Sequence, residues 1–269
     1  MINPVSSTRP TGRSLALIVS PPGCGKTSFA ATASAHIPAT FSCRVVPPPP
    51  DAPMAVLEDM AWIGFDRNAL SGFTSLKLDV PLYYDLSGVA PNRCVEETLE
   101  VIADIAKRGT PNVVFDTGTA FDIQLNARHA AKLAGDKFKG YDAILSDWLK
   151  VLSALRQLDA NIQILAHVKA AYDADAVATQ RRREMDIPDY AAHITGQSLG
   201  RIRLDCDFIL PLKRKVVMEG TPARRVQRVV MQTQPNGNVE SKIRGGAGLP
   251  DEMDADWRVL RAALAGGSK

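Results

Sequence analysis

Cysteine is scarce in this sequence, and the cysteines that occur do not form the patterns of a disulfide scaffold or a zinc site. The four cysteines are Cys24, Cys43, Cys94 and Cys206, and the four histidines are His36, His129, His167 and His193. No two cysteines stand in a C-x-x-C pair, which is the local spacing that structural zinc sites favour. A disulfide-rich secreted fold is excluded as well, so we expect reduced thiols in a cytoplasm.

Long apolar runs and a strong charge imbalance are also missing. Because no stretch of about 18 uncharged apolar residues occurs, no transmembrane helix is expected. The start of the chain, residues 1–13, is polar and lacks the apolar segment of a secretory signal. A net charge of +3 does not by itself indicate a nucleic-acid-binding protein. With 45% hydrophobic residues among 269, disorder as the main state is excluded, and the length allows one or two domains.

What the chain does contain is an alternation of short apolar runs with amphipathic segments. The pattern predicts strands at 14–19, 54–57, 74–82, 112–115 and 162–166, helices at 94–107 and 142–158, and a hairpin from 208–212 and 225–232. Because strands that alternate with crossover helices form mainly parallel sheets, we expect an α/β fold with a C-terminal antiparallel hairpin. A single domain is predicted at 14–264, flanked by flexible segments at 1–13 and 265–269.

The strongest motif is Ser20-Pro-Pro-Gly-Cys-Gly-Lys-Thr27, which follows the first predicted strand and precedes a small-residue helix. It matches the phosphate-loop pattern G-x-x-x-x-G-K-[ST], except that serine replaces the first glycine. Gly23 and Gly25 let backbone N–H groups curl around a phosphate. Lys26 is expected to reach the β- and γ-phosphates, and the Thr27 hydroxyl to hold Mg²⁺. The residues predicted to bind the nucleotide are Pro22, Gly23, Cys24, Gly25, Lys26, Thr27 and Ser28.

An acidic partner for the metal ion is expected at the end of another buried strand. Val113-Val-Phe-Asp116 fits this expectation, because a short apolar run ends in a carboxylate. Asp116 is therefore predicted to hold Mg²⁺ together with Thr27, directly or through water. The alternative role for Asp116 is that of a helix N-cap.

Further segments follow the phosphate loop in an order that resembles the RecA-like ATPase core. These segments are Asp116-Thr-Gly-Thr-Ala120, an amphipathic helix, and Ile162-Gln-Ile-Leu-Ala-His167. More closely, the chain resembles the phage ATP-binding proteins that are compact RecA-like single-strand annealing ATPases. The resemblance covers roughly residues 14–264 and depends on the order and spacing of the motifs, since only the phosphate loop is specific by itself. It implies a RecA-like P-loop core, ATP and Mg²⁺ as cofactors, and nucleoside triphosphate hydrolysis.

The same resemblance implies catalytic residues besides Lys26. His167 stands where RecA-like proteins place a polar sensor of the γ-phosphate. Glu58 stands where they place the glutamate that activates water, and Asp59 is nearly as well placed. The alternatives are a satisfied buried histidine and an ordinary acid at the end of a strand.

A late basic segment, Ser241-Lys-Ile-Arg-Gly-Gly246, resembles the K-x-R-x-G segment of hexameric RecA-like helicases. In those proteins the lysine and the arginine reach the γ-phosphate held by the neighbouring subunit. Lys242 and Arg244 share one face of a strand at period two, so both are expected to reach one phosphate and to act in catalysis. The alternative is a solvated basic strand end.

Two segments are expected to face DNA, as the corresponding loops of RecA-like proteins do. The first, 126–141, mixes basic side chains with aromatic rings, and the second, 169–200, contains three consecutive arginines. The predicted DNA-binding residues are Arg128, Lys132, Lys137, Lys139, Tyr141, Arg181, Arg182 and Arg183. Basic side chains neutralise phosphates, and aromatic rings stack on bases. A solvated basic surface is the alternative.

The function that these features favour is ATP-driven action on single-stranded DNA in phage recombination or strand annealing. One alternative is a nucleotide-dependent helicase loader or packaging ATPase. Another is a small-molecule P-loop kinase, in which 181–183 would clamp a phosphate. The expected partners are single-stranded DNA, further copies of the chain in a ring or filament, and a single-strand-binding protein, without a membrane. The expected location is the bacterial cytoplasm, including that of a phage host.

Overall fold

A nine-stranded sheet forms the centre of the computed structural model, which describes residues 13–43, 48–49, 51–67, 69–168, 192–219, 224–235, 240–246 and 248–266. The strands are β1 (Ser14–Ser20), β2 (Ala55–Val56), β3 (Met60–Gly64), β4 (Leu78–Asp79), β5 (Leu82–Asp85), β6 (Asn112–Asp116), β7 (Asn161–His167), β8 (Phe208–Glu219), β9 (Arg224–Gln232), β10 (Lys242–Ile243) and β11 (Glu252–Asp254). The helices are α1 (Lys26–Ala31), α2 (Ala69–Leu76), α3 (Cys94–Arg108), α4 (Gly118–Arg128), α5 (Ala130–Gly135), α6 (Lys137–Gln157), α7 (Gly196–Asp205) and α8 (Trp257–Gly266). Strands β2 and β4 form a separate parallel pair.

The strand order of the main sheet is β11-β9-β8-β1-β7-β6-β3-β5, with β10 added to β8. All neighbours from β8 to β5 are parallel, whereas β9, β10 and β11 pair antiparallel. Ser20 lies beside His167, and Gly64 lies beside Asp116. The central parallel strands thus end together at one edge, the carboxyl edge, and begin at the opposite amino edge. This is a mainly parallel α/β sheet flanked by helices, with antiparallel strands from the C-terminal part of the chain, and the predicted α/β class with a C-terminal hairpin is confirmed.

Apolar side chains cover both faces of the sheet, which is why its central strands are nearly continuous hydrophobic runs. Successive residues of β1 point to opposite faces: Leu17 enters the same core as Trp148 of α6, and Ile18 the same core as Phe29 of α1. Helices α3, α4, α6 and α7 cover the first face, and α1, α2 and α8 cover the second. No helix in the described part of the chain is long and apolar enough to cross a membrane.

Two of the predicted strands are wrong, and one of these errors affects the site. Residues 54–57 contain only the two-residue strand β2, and the buried strand of this region is β3, which the sequence pattern missed. The segment 74–82 contains the end of α2 and the short β4 instead of one strand. The run in β3 is only five residues long, and Trp62 at its centre packs edge-to-face on Phe73 of α2. Burial from both sides stabilises this strand, and that burial is a tertiary effect that local periodicity does not report.

Candidate nucleotide site

The phosphate loop joins the end of β1 to the start of α1. Gly23 and Gly25 have φ angles of 71° and 82°, in the left-handed region that side chains disfavour. The Phe29 amide donates to the Gly25 carbonyl at 2.8 Å, so the helix begins directly after the second glycine. The glycines therefore stand where the chain turns sharply at the carboxyl edge of the sheet.

Lys26 is buried beneath this loop, with 7% of its surface exposed. Its Nζ donates to the Ser20 carbonyl and to the Ser20 hydroxyl, both at 3.2 Å, and to the Pro21 carbonyl at 3.3 Å. Burial lowers the pKa of Lys26 to about 8. Among the described residues, no carboxylate oxygen lies within ion-pair distance of Nζ. The serine that departs from the phosphate-loop pattern thus provides a hydroxyl ligand for the ammonium group, and all hydrogen-bond partners of that group among the described residues are neutral.

His167 ends β7 directly beside Lys26. Its Nδ1 lies 3.1 Å from Lys26 Nζ, and its backbone amide donates to the Thr119 hydroxyl at 3.0 Å. Burial, together with the nearby ammonium, lowers the pKa of His167 to about 4. The imidazole is therefore neutral at physiological pH, and its Nδ1 can accept a hydrogen bond from Lys26. The position predicted for a polar sensor beside the phosphate loop is occupied by a neutral acceptor.

Asp116 ends β6 and is buried at the carboxyl edge, with 6% of its surface exposed. Burial raises the pKa of Asp116 to about 6, against the opposing effects of a hydrogen bond from Trp62 and the charge of Lys26. Trp62 Nε1 donates to Asp116 Oδ2 at 3.1 Å, which fixes one carboxylate oxygen. Trp62 belongs to the strand β3 that the sequence pattern missed, so this supporting side chain was missed with it.

Thr27 and Asp116 are the side chains predicted to hold Mg²⁺. Thr27 follows Lys26 in α1 and is partly exposed. In the described part of the chain, no three His, Cys, Asp or Glu residues converge into a metal cage. One hydroxyl and one carboxylate suit Mg²⁺, which keeps several waters and takes phosphate oxygens as further ligands. This donor set fits a magnesium–nucleotide complex better than a metal ion alone.

Asp66 is an acid that the sequence interpretation did not select. It lies two residues beyond the end of β3, at the carboxyl edge, and is half-buried. Its negative charge adds to the raised pKa of Asp116 and partly opposes the lowering of the pKa values of Lys26 and His167. The signal that would have found it is the pairing of an apolar run, Met60 to Gly64, with the first acid after that run.

Glu58 follows the second strand, as predicted, but that strand, β2, lies outside the main sheet, and Glu58 is at the edge opposite the phosphate loop. It precedes β3, whose first residue Met60 lies beside Asn112 at the start of β6. The neighbouring Asp59 is committed to structure: its carboxylate accepts from the Ala35 amide at 2.9 Å and from Asn112 Nδ2 at 3.2 Å. The buried strand of this region is β3, which begins after Glu58, whereas the sequence pattern predicts it at 54–57.

Lys242 and Arg244 also lie away from the phosphate loop of their own chain. Arg244 pairs with Asp207 at 2.9 Å, and its amide donates to the Asp207 carbonyl, close to the start of β1. Lys242 Nζ donates to the Arg203 carbonyl at 3.1 Å, near the end of α7. The expected shared strand face is wrong, since β10 ends at Ile243 and Arg244 belongs to a turn. The structure does not bring this pair together with Lys26, so any contact with a phosphate would involve another copy of the chain.

The first predicted DNA segment is helical and was wrongly expected to be a loop. It comprises the end of α4, α5 and the start of α6. Arg128 is committed to Glu96, which it contacts through two hydrogen bonds of 2.7 and 2.8 Å, holding the pKa of that carboxyl at about 2. The exposed basic and aromatic residues of the segment are Lys132, Lys137, Phe138, Lys139 and Tyr141. Arg181, Arg182 and Arg183 lie outside the described residues.

Tyr141, one of these exposed side chains, lines a cleft of about 560 Å³. Tyr141 of α6, Ile123 and Asn126 of α4, and the segment 193–197 line it. The His193 amide donates to the His167 carbonyl at 2.7 Å, so the cleft wall is joined to strand β7, which ends at His167 beside Lys26. This hydrogen bond links the cleft to the phosphate-loop region.

No protein-family model matches this chain, and no curated protein is similar to it. Among solved structures, the crystal structure of the RadB recombinase is similar, with 15% sequence identity, 83% of this chain and 84% of that chain covered, and a TM-score of 0.38. The strand order and register carry the fold assignment, and the resemblance to phage single-strand annealing ATPases stays a prediction.

Proposed function

We propose that this protein binds ATP with Mg²⁺ at the carboxyl edge and hydrolyses it. The observation that carries this proposal is Lys26, a buried ammonium group held by loop carbonyls, a serine hydroxyl and a neutral histidine, with no carboxylate at ion-pair distance among the described residues. Burying an unpaired cation is costly. A polyphosphate would supply the missing negative charge.

Each residue of the site has one role in this proposal. Lys26 binds the phosphates. Thr27 and Asp116 together hold the metal ion, and that ion would neutralise charge on the phosphate oxygens. Asp66 orients and deprotonates the attacking water. This acid lies at the carboxyl edge, where the phosphates bind in this proposal, whereas Glu58 lies at the amino edge. His167 accepts a hydrogen bond from Lys26 and distinguishes the triphosphate from the diphosphate state.

We further propose that this ATPase acts on single-stranded DNA, in recombination or strand annealing. The support is a set of exposed cations and aromatic rings on α5 and α6, of which Tyr141 lines the cleft whose wall is hydrogen-bonded to β7; the set is Lys132, Lys137, Phe138, Lys139 and Tyr141. Such a combination binds the backbone and stacks on bases with little sequence preference. The position of Arg244 at the amino edge supports assembly into a homo-oligomer that completes each site between copies.

The deciding experiment measures phosphate release from ATP with and without single-stranded DNA over a range of salt concentrations. We expect Mg²⁺-dependent turnover that DNA stimulates, and its loss in Lys26→Ala. Lys107→Ala, which removes an exposed lysine in the last turn of α3, is the matched control. Turnover that persists in Lys26→Ala would contradict the site. Transfer of phosphate to a small acceptor would favour a kinase, and turnover indifferent to DNA would favour a loader or packaging ATPase.

A further inference from the structure

The β8–β9 hairpin rises beyond the carboxyl edge next to the phosphate loop. Strand β8 runs parallel to β1, and Val19 lies beside Pro211. Since β1 ends one residue later at Ser20, the part of β8 from Lys213 onward extends past the edge. Strand β9 accompanies it in an antiparallel register from Glu219↔Arg224 to Leu212↔Met231.

One cross-strand pair of this hairpin lies directly on the two glycines of the phosphate loop. Arg214 and Val229 are partners in the register. Arg214 Nη2 donates to the Gly23 carbonyl, and a Cβ atom at Gly23 would lie 3.3 Å from that nitrogen. A Cβ atom at Gly25 would lie 3.3 Å from Val229 Cγ2. The hairpin therefore forms a wall of the phosphate-loop region, and the glycines make room for it.

The same face of β8 continues with two large apolar side chains. Because strand residues alternate between faces, Arg214, Val216 and Met218 point to one side. Val216 is 58% exposed and Met218 is 60% exposed. The other face of the strand is satisfied within the chain, since Lys215 pairs with Glu252 at 2.8 Å.

Arg214 differs from this neighbouring cation in having no acidic partner among the described residues. In the described part of the chain, no carboxylate lies within ion-pair distance of its guanidinium group. A guanidinium group carries five N–H donors in a fixed fork that matches phosphate geometry. The contact with the Gly23 carbonyl leaves donors for a phosphate held by the adjacent loop.

We propose that this hairpin face, Arg214, Val216 and Met218, is the nucleoside-binding wall of the site, with Arg214 on a phosphate and Val216 and Met218 against the ribose and base. The inference rests on the proposed nucleotide function. Val216 lies about 7 Å along the strand from Arg214, at about 3.3 Å per residue. A nucleotide needs such an order of groups, because its base lies beyond the phosphates and the sugar.

Binding of two probes separates the wall from the phosphate loop: ATP and inorganic tripolyphosphate, each with Mg²⁺, measured by calorimetry. In Val216→Thr combined with Met218→Thr, we expect ATP to bind about tenfold more weakly, because apolar contact is lost. Tripolyphosphate, which has no nucleoside, should bind as in the wild type. Arg214→Gln should weaken both ligands, and Lys26→Ala should abolish both.

Val217→Thr is the matched control, because it makes the same chemical change on the opposite face of the same strand. Equal ATP binding in wild type and wall variant would overturn the inference, and so would an equal loss in Val217→Thr. Val216→Thr alone, an isosteric change at an exposed strand position, replaces the double variant if thermal melting shows that the latter unfolds. Wild type that binds neither probe would refute the proposed function itself. A change in sedimentation in place of ATP affinity would identify the face as an interface between copies.

Discussion

The charged side chains at the two edges of the sheet differ in their partners. At the amino edge, charged groups have partners within the chain: Arg244 pairs with Asp207 at 2.9 Å, and Asp59 accepts from the Ala35 amide at 2.9 Å. At the carboxyl edge, Lys26 and Asp116 are both buried, and no ion pair joins them within the described residues. Unpaired burial lowers stability. Lys26 and Asp116 at the carboxyl edge thus differ from Arg244 at the amino edge in having no ion pair among the described residues, and the proposed magnesium–nucleotide complex would supply the opposite charges.

The largest expected effect is a loss of ATP turnover when Arg244, at the amino edge, is removed. It would arise if the amino edge of one copy contacts the carboxyl edge of the next copy. If Arg244 of one copy completes the site of the next, Arg244→Ala should lower turnover by about 10³-fold or more. An equal mixture of Arg244→Ala with Lys26→Ala should recover part of the activity, because some mixed interfaces contain one intact site. Phosphate release by the two variants and by the mixture measures this.

Arg201→Ala is the control for that mixing experiment. Arg201 also pairs with an aspartate, Asp205, at 3.2 Å and is similarly exposed, so its removal should leave turnover intact. A mixture that stays inactive, in a protein that sediments as a monomer with ATP and DNA, would confine Arg244 to its pair with Asp207.

The next largest effect compares one acid from each edge. Asp66→Asn should lower the rate of ATP hydrolysis by about 10²–10⁴-fold, the usual contribution of a general base. Glu58→Gln, the same change at the amino edge, should leave the rate unaltered. Single-turnover hydrolysis measures both rates, and ATP affinity serves as the check that the site still forms. If Glu58→Gln hydrolysed ATP slowly and Asp66→Asn hydrolysed it at the wild-type rate, the roles of the two acids would be reversed.

These two acids show which parts of the site could be predicted from the sequence. The strand before the phosphate loop, the strand ending at Asp116 and the strand ending at His167 are short apolar runs with flanking polar residues, and their burial could be predicted. Strand β3 could not, because its five residues are buried by β5, β6 and α2, which come together only in the folded chain. Because the pattern predicts the strand at 54–57, it points to Glu58, whereas the observed strand β3 is followed by Asp66.

The contribution of the hairpin was equally beyond the sequence. A turn between two β-rich runs predicts a hairpin near 208–232, but not that its register places Arg214 on Gly23. The spacing of Lys242 and Arg244 predicted one strand face, whereas the strand ends between them. Local pattern thus identifies elements and their order, while the meeting of distant side chains depends on strand register.

A smaller effect is expected at the cleft side of the carboxyl edge. Changing Lys137 and Lys139 together to Ala should weaken single-stranded DNA binding and reduce the slope of log affinity against log salt by up to about 1.4, or about 0.7 for each phosphate neutralised. Tyr141→Ala should cost about 1–3 kcal/mol if the ring stacks on a base, with little change in slope. Fluorescence anisotropy with an unstructured oligonucleotide measures both quantities.

Lys107→Ala, on α3, provides the matched basic control for the DNA measurements. An unchanged slope in the Lys137 and Lys139 variant would remove this patch from the DNA path. ATP affinity should be the same in all these variants, because none of these side chains contacts the phosphate loop in the described structure.

The smallest expected effect is a change in proton uptake that follows from the unpaired charges. Near pH 8.5 the Lys26 amine, with its pKa lowered to about 8, is mostly neutral in the free protein. Nucleotide phosphates stabilise its charged form, so binding should take up a fraction of a proton. Near pH 5.5 the Asp116 carboxyl, with its pKa raised to about 6, is mostly protonated. Mg²⁺ stabilises the carboxylate, so binding should release protons there.

The sign of proton exchange should therefore invert between these two pH values, which calorimetry in buffers of different ionisation enthalpy detects. Omitting Mg²⁺ should remove the release at pH 5.5 and leave the uptake at pH 8.5, since the two events belong to different groups. His167→Gln should preserve both signs, because a histidine whose pKa is lowered to about 4 is neutral at either pH. Proton exchange of one sign throughout would show that Lys26 and Asp116 neutralise each other, and the contrast between the two edges would then be lost.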